Sequence, residues 1–183
     1  MKLFLIRHAT AMRHEDFAKE FSKNATKEFS GADDLRRPLT AEGRKKAGRA
    51  FEGFFSFFGA PDHIFHSRAV RSRDTAAILA GKTGAPVSET NLLDPGANYD
   101  SLLKLLQEPR ARVERLALVG HEPDFSEMVS GLLRRNPGES RAFLHLDIKK
   151  ASCIEIELYA SGAGELVSML PPKVLRRLAR SGD

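Results

Sequence analysis

The stretch Leu3-Phe4-Leu5-Ile6-Arg7-His8-Ala9-Thr10 constrains this chain most. Four apolar residues run unbroken and give way at once to a cation and an imidazole. Such a run predicts a strand buried on both faces, which requires layers packed above and below it. Arg7 and His8 then emerge at the strand's carboxyl end, the edge along which open α/β sheets bind ligands. The pattern recurs at Leu116-Ala117-Leu118-Val119, which runs into Gly120-His121-Glu122-Pro123. A third, shorter strand, Ile64-Phe65, stops at His66-Ser67 and leads into Arg68-Ala69-Val70-Arg71-Ser72-Arg73-Asp74-Thr75. If the three strands are parallel, all three junctions fall on one side of the sheet.

Helical patterns separate these strands. Thr40 reads as an N-cap with Glu42 in the first turn, and Ala47, Phe51, Phe54, Phe55 and Phe58 recur at helical spacing until Gly59-Ala60-Pro61. Those phenylalanines are expected in the core. A second helix runs from about Val70 to Lys82, burying Ala76, Ala77 and Leu79 or close neighbours. A third carries Leu102, Leu103, Leu105 and Leu106 and ends before Pro109. A fourth starts near Pro123 with Phe125, Met128, Val129, Leu132 and Leu133.

Ala85 to Glu89 predicts a brief strand, and Asn91 to Asn98, with Pro95-Gly96, a loop. Ser152 to Tyr159 alternates, with Ile154, Ile156 and Leu158 on one face and Glu155 and Glu157 on the other. That pattern predicts a half-exposed antiparallel strand, paired with Glu165 to Leu170 around Ser161-Gly162. Pro172 to Arg180 predicts a basic terminal helix with Val174, Leu175 and Leu178 inward. Ala9 to Pro38 is a long polar connection, with a short helix around Glu15 to Lys23 and Phe17, Phe21 and Phe29 to pack it. Connections of this length commonly act as covers, and this one is expected over the Arg7-His8 edge. The expected fold is α/β: a three-layer sandwich with a mostly parallel central sheet, an antiparallel edge and helices on both faces, in a single domain over 1–183.

Hydrophobic residues at 42% and charged residues at 29% suit a soluble globular chain. No apolar stretch has membrane-spanning length, and Arg7 interrupts the first run before it could serve as a signal-peptide core, so a cytoplasmic location without membrane attachment is expected. The single cysteine, Cys153, excludes an intrachain disulfide and a thiolate zinc cluster. The net charge of +5 points to anionic partners.

Guanidinium groups match phosphate oxygens in a fork and stay charged, so Arg7 and Arg71 at one edge predict a phosphate pocket. A histidine is largely neutral at pH 7 and can attack phosphorus through a ring nitrogen. A second can stabilise phosphoryl oxygens or move protons. A metal site is set aside, because Arg7 and Arg71 would repel the cation and the other histidines are poorly placed. His63 and His66 sit three apart on a strand and face opposite sides. His145 is expected to be structural, and His14 stands in the loop. No metal or cofactor is expected.

Arg7-His8-Ala9 after a first strand, Arg37-Pro38-Leu39-Thr40 opening a helix with Gly43 behind it, Ser67 with Arg71 and Thr75, and Val119-Gly120-His121 before a helix resemble the histidine phosphatase superfamily (phosphoglycerate mutase-like). The small size and Asp34-Leu35-Arg36-Arg37-Pro38-Leu39-Thr40 are similar to SixA-type phosphohistidine phosphatases. The resemblance implies His8 as a transiently phosphorylated nucleophile, with Arg7, Arg71 and His121 forming the phosphate pocket. It makes Arg37 a further substrate-binding arginine, and Arg68 and Arg73 are read as surface residues. Ser67 is expected to shape the turn. Larger relatives use a carboxylate to protonate the leaving oxygen; here Asp94 and Glu122 are the candidates, neither in a clear motif. The implied substrate is a phosphohistidine protein or peptide, with a phosphorelay carrier protein as the partner. The alternatives are a phosphomonoesterase acting on a small phosphorylated metabolite or nucleotide, and a basic module binding RNA or an acidic protein. The last would use Arg134-Arg135 together with Lys173, Arg176, Arg177 and Arg180, although no aromatic residues interleave there for base stacking.

Overall fold

The buried run forms β1 (Lys2–Arg7), and the strands that follow are β2 (His63–Ser67), β3 (Val87–Thr90), β4 (Arg115–Gly120), β5 (Cys153–Leu158) and β6 (Gly164–Leu170). A computed structural model describes residues 1–24, 29–133 and 146–179. Its sheet has the order β3-β2-β4-β1-β5-β6. β3, β2, β4 and β1 pair in parallel, and β5 and β6 join antiparallel at the β1 side. The helices are α1 (His14–Asn24), α2 (Gly31–Asp34), α3 (Ala41–Phe58), α4 (Val70–Thr83), α5 (Tyr99–Gln107), α6 (Asp124–Leu132) and α7 (Pro172–Leu178).

The pleat of β1 divides the core. Phe4 and Ile6 point to one face, where they meet Ala47, Phe51 and Phe54 of α3, Leu79 of α4 and Leu175 of α7. Leu3 and Leu5 point to the other, toward Leu102 and Leu105 of α5 and Phe125, Met128 and Val129 of α6. Each fully buried Phe or Leu contributes roughly 1.5–3 kcal/mol, so this two-sided burial dominates the sheet's stability. The chain is therefore the expected mostly parallel sandwich with helices on both faces.

Two glycines permit close approach. A Cβ on Gly53 would stand 1.7 Å from the Leu175 carbonyl oxygen, so only glycine lets α7 lie this close across α3. A Cβ on Gly43 would stand 2.1 Å from the Thr10 carbonyl oxygen. That carbonyl accepts from the Thr40 backbone N–H at 3.0 Å, while the Thr40 hydroxyl caps α3 by accepting from the Gly43 N–H at 2.9 Å. The turn after β1 is thus pinned to the start of α3.

Several local expectations shift. Phe55 is 46% exposed, because the inward stripe of α3 is Ala47, Ala50, Phe51 and Phe54 and Phe55 lies round the helix from it. Ala77 faces outward for a similar reason: α4 buries Arg71, Ser72, Thr75, Ala76 and Leu79. The third strand begins at Val87, with Ala85 already in the core. Glu155 is not solvated. It is 5% exposed, lies 3.3 Å from the Lys2 ammonium and accepts from the Ser168 hydroxyl at 3.1 Å. In α7, Leu175 is buried whereas Val174 is exposed.

The long connection leaves the body and returns to it through an Ala11–Leu39 bridge and a Met12 N–H bond to the Pro38 carbonyl at 2.9 Å. Within it, Phe29 packs edge-on against Phe17 and Phe21 of α1, with ring centroids 5.9 and 5.5 Å apart. His145, Arg134, Arg135 and Arg180 lie outside the described residues. Among the described residues no helix is long and apolar enough to cross a membrane.

Candidate active site

Three parallel strands end at one edge. β1 leads into His8, β2 ends on Ser67, and β4 leads into His121. Because β4 lies between β1 and β2, with Arg7 opposite Gly120 and His66 opposite Val119, His121 emerges between His8 and Ser67. The His8 backbone N–H extends the ladder one step by donating to the Gly120 carbonyl at 3.0 Å. The His8 and His121 rings are both buried, with centroids 5.2 Å apart.

His8 has a defined tautomer. Its Nδ1 lies 2.8 Å from the Ala9 carbonyl, and a carbonyl can only accept, so Nδ1 carries the proton. Nε2 is left with its lone pair and no hydrogen-bond partner among the described residues. The Ala9 N–H donates to the Thr75 hydroxyl at 3.0 Å, which donates to the Arg71 carbonyl at 2.6 Å, tying the His8 turn to the first turns of α4. Burial first, then the neighbouring His121, Arg71 and Arg7, hold the His8 pKa down to about 2; the Ala9 hydrogen bond works the other way. The ring is neutral throughout the physiological range.

His121 is held from the opposite side. Its Nε2 lies 2.7 Å from the Ser67 hydroxyl and 3.3 Å from that of Ser72. The Ser67 oxygen also accepts from the Ala69 N–H at 3.3 Å, so Ser67 both shapes the turn and supports the imidazole. Burial, then Arg71, lowers the His121 pKa to about 3, with Asp34 opposing.

The cations come from four segments. Arg71, in the first turn of α4, is buried, and its Nη1 donates to the Asp34 carbonyl at 2.8 Å and lies 3.2 Å from Asp34 Oδ2. Arg7 Nη1 donates to the Ile148 carbonyl at 2.6 Å. The Nε atoms of both arginines are buried and bonded to nothing. Arg37 donates through Nε to Asp34 Oδ1 at 2.8 Å and through Nη1 to the Met12 carbonyl at 2.7 Å, so its guanidinium braces the long connection from within the cationic cluster. Lys150, which sequence reasoning missed, joins them: burial and then the charges of Arg7, Arg37 and Arg71 push its ammonium below the usual lysine value.

Asp34, one residue of the Asp34-to-Thr40 stretch, lies at the centre of these cations, a place that residue order alone does not indicate. Burial works to raise its pKa, but the Arg37 hydrogen bond and the charges of Arg71 and Arg37 outweigh it and keep the carboxyl ionised below the usual range. Arg37 and Arg71 flank Asp34, and Arg7 and Lys150 add further positive charge to the cluster, an environment suited to a phosphate dianion.

The two candidate proton donors differ. Asp94 is gripped by Arg68, whose backbone N–H and Nε donate to it at 2.8 and 2.6 Å. Glu122 is half-buried and its carboxyl pKa is raised, by burial first. Its Oε2 accepts from the Ser126 hydroxyl at 2.7 Å, while Oε1 is sealed from solvent with no partner.

Comparison with known proteins finds the profile of the histidine phosphatase superfamily (branch 1) matching residues 3–95. No curated protein matches the chain. Among solved structures, a protein histidine phosphatase SixA complexed with tungstate is similar at a TM-score of 0.69 and 19% identity, over 94% of this chain and 98% of that one. The alpha-ribazole phosphatase of Shigella flexneri is similar at 0.64 and 16%, over 94% and 97% of the two chains. A mutant phosphoserine phosphatase of Entamoeba histolytica, in complex with phosphoserine, is similar at 0.63 and 16%, over 95% and 98%. At these identities the likeness establishes the shared fold.

Proposed function

Since this chain belongs to the histidine phosphatase superfamily, and is on that ground a phosphatase, we propose that it hydrolyses phosphohistidine through a covalent phosphoryl intermediate on His8. The observation that carries the reading is the bare Nε2 of His8, set by the Nδ1 bond to Ala9, on a ring that lies beside His121 and within the field of Arg71 and Arg7. The phosphoryl group binds to the guanidinium groups and His121, and Nε2 displaces the leaving group in line. The bond from phosphorus to the leaving atom breaks with its electron pair, and water then cleaves phospho-His8 to restore the enzyme. Arg7, Arg71 and His121 hold the equatorial oxygens through both steps. Arg37 supports the pocket through Asp34 and adds its own charge.

In this reading the arginines supply the positive charge of phosphoryl transfer, and no metal or cofactor takes part. The substrate is a phosphohistidine protein, such as a phosphorelay carrier, in the cytoplasm. The tungstate held by the SixA-like neighbour supports an oxyanion pocket on this fold. The neighbours that are alpha-ribazole and phosphoserine phosphatases favour a second reading, a monoesterase for a small phosphate ester.

A labelled phosphohistidine peptide, offered beside a sugar phosphate, a nucleotide and phosphoserine, separates the two. Acid-labile, base-stable label on the wild type, lost in His8→Ala while vanadate still binds, is the expected result. Label retained in His8→Ala refutes the nucleophile, and faster turnover of an ester selects the second reading.

A further inference from the structure

We infer that the Asp34 carboxylate is a specificity-determining group that selects phosphohistidine by accepting a hydrogen bond from the leaving imidazole ring. The inference rests on the proposed reading of the site and concerns the part of it that meets the leaving group. Asp34 stands where the phosphate cluster opens outward. Its Oδ2 lies 3.2 Å from Arg71 Nη1, and its side chain also lines a cavity of about 630 Å³ with His14, Leu35, Arg68, Asp94 and Pro95. The cavity adjoins Arg71 through Asp34, so a leaving group that enters it from a phosphoryl group bound to Arg71 lies beside Asp34.

The chemistry of the cavity discriminates between substrates. Expulsion of an alkoxide needs a proton from a neutral acid. Asp34 is ionised by Arg37 and Arg71, both oxygens of Asp94 are engaged by Arg68, and the free oxygen of Glu122 is closed off from solvent. None of the three is placed to protonate an ester oxygen in the cavity. An imidazole leaving group brings its own proton on the ring nitrogen remote from phosphorus. That protonated ring is a cation, and an anionic acceptor stabilises it more than it would a neutral ring.

The step balances without an external acid. His8 Nε2 forms the new bond to phosphorus, the P–N bond of the substrate breaks, and its electron pair stays on the ring nitrogen. The ring departs as neutral imidazole, keeping the proton that faced Asp34. An ester carries no proton on its bridging oxygen, so Asp34 gains no hydrogen bond from that leaving group. Asp34 Oδ2 already has two arginine partners, Arg71 Nη1 at 3.2 Å and Arg37 Nη2 at 3.5 Å, whereas Oδ1 accepts from Arg37 Nε alone and keeps acceptor capacity for one more donor.

The test compares Asp34→Asn with wild type on a phosphohistidine peptide and on an aryl phosphate, whose phenolate leaving group needs no proton. A charge-assisted hydrogen bond is worth about 1.5–3 kcal/mol, so kcat/KM for the peptide falls by roughly 10–100-fold more than for the aryl ester. Vanadate affinity reports whether the arginines still form their pocket, and Asp34→Glu restores part of the preference. Equal losses on both substrates assign Asp34 a purely structural role and overturn the inference while the phosphohistidine reading stands. A wild-type enzyme inactive on phosphohistidine overturns both.

Discussion

Acidification should destabilise this protein through the two histidines at its centre. His8 and His121 are 6% and 4% exposed, with pKa values held down to about 2 and about 3 against an ordinary 6.5. The sign follows from proton uptake. Above pH 6.5 neither the folded nor the unfolded chain binds the proton; below it the unfolded chain does and the folded one does not. Neutrality of the two rings thus stabilises the fold fully above 6.5, and the contribution is lost as pH falls toward the folded values.

Between about pH 8 and about pH 5 each histidine loses roughly 2 kcal/mol, about 4 kcal/mol together, a large part of a typical 5–15 kcal/mol stability. Glu122 and Asp124, both raised by burial, act in the opposite sense and soften the fall at its acid end. Urea unfolding at stepped pH measures the curve, with a His8→Gln/His121→Gln double variant as reference. His63, also lowered by burial, contributes alike to both proteins and cancels. Wild-type stability unchanged at about pH 5, or a double variant that declines as steeply, would refute the assignment of the acid response to these rings.

Two other perturbations test separate parts of the structure. Gly53→Ala drives a Cβ into the Leu175 carbonyl and should cost about 3 kcal/mol or more, read as a depressed melting temperature; an unchanged melt means α7 does not cross α3 at this glycine. Ser67→Ala removes the hydroxyl that holds His121 Nε2 and should lower kcat by about 5–30-fold, with the ¹⁵N shifts of His121 moving and Ser67→Thr restoring both. Unmoved ¹⁵N shifts and full turnover would leave Ser67 a turn residue only.

What could be read from residue order was what local pattern determines. The unbroken runs before His8 and His121 fix two parallel buried strands, and with them the edge where the imidazoles meet. The caps and stops of α3 are equally local, from Thr40 to Gly59. Glu155 shows the limit: alternation placed it outward, but its surroundings depend on Lys2 and Ser168, one of them more than a hundred residues away in the chain. The roles of Asp34 and Lys150 were hidden for the same reason. A carboxylate or an ammonium acquires its function from the charges that folding brings beside it, and Arg71 reaches Asp34 across an intervening helix and strand. Arg37 was anticipated as a ligand for substrate, while its bonds to Asp34 and Met12 are visible only in three dimensions.

The register that seats Arg7 against Gly120 has a consequence for how such a chain can change over time. The separation of the two imidazoles is set by the interstrand spacing of the sheet, about 4.8 Å, and not by any loop. Loops lengthen, shorten and exchange their side chains at small energetic cost, whereas slipping one central strand would turn its buried face outward. The reactive pair is thus fixed to the least adjustable part of the molecule, and the walls around the leaving group to the most adjustable. A chain built this way can acquire a new substrate by altering the walls alone, without re-inventing the chemistry.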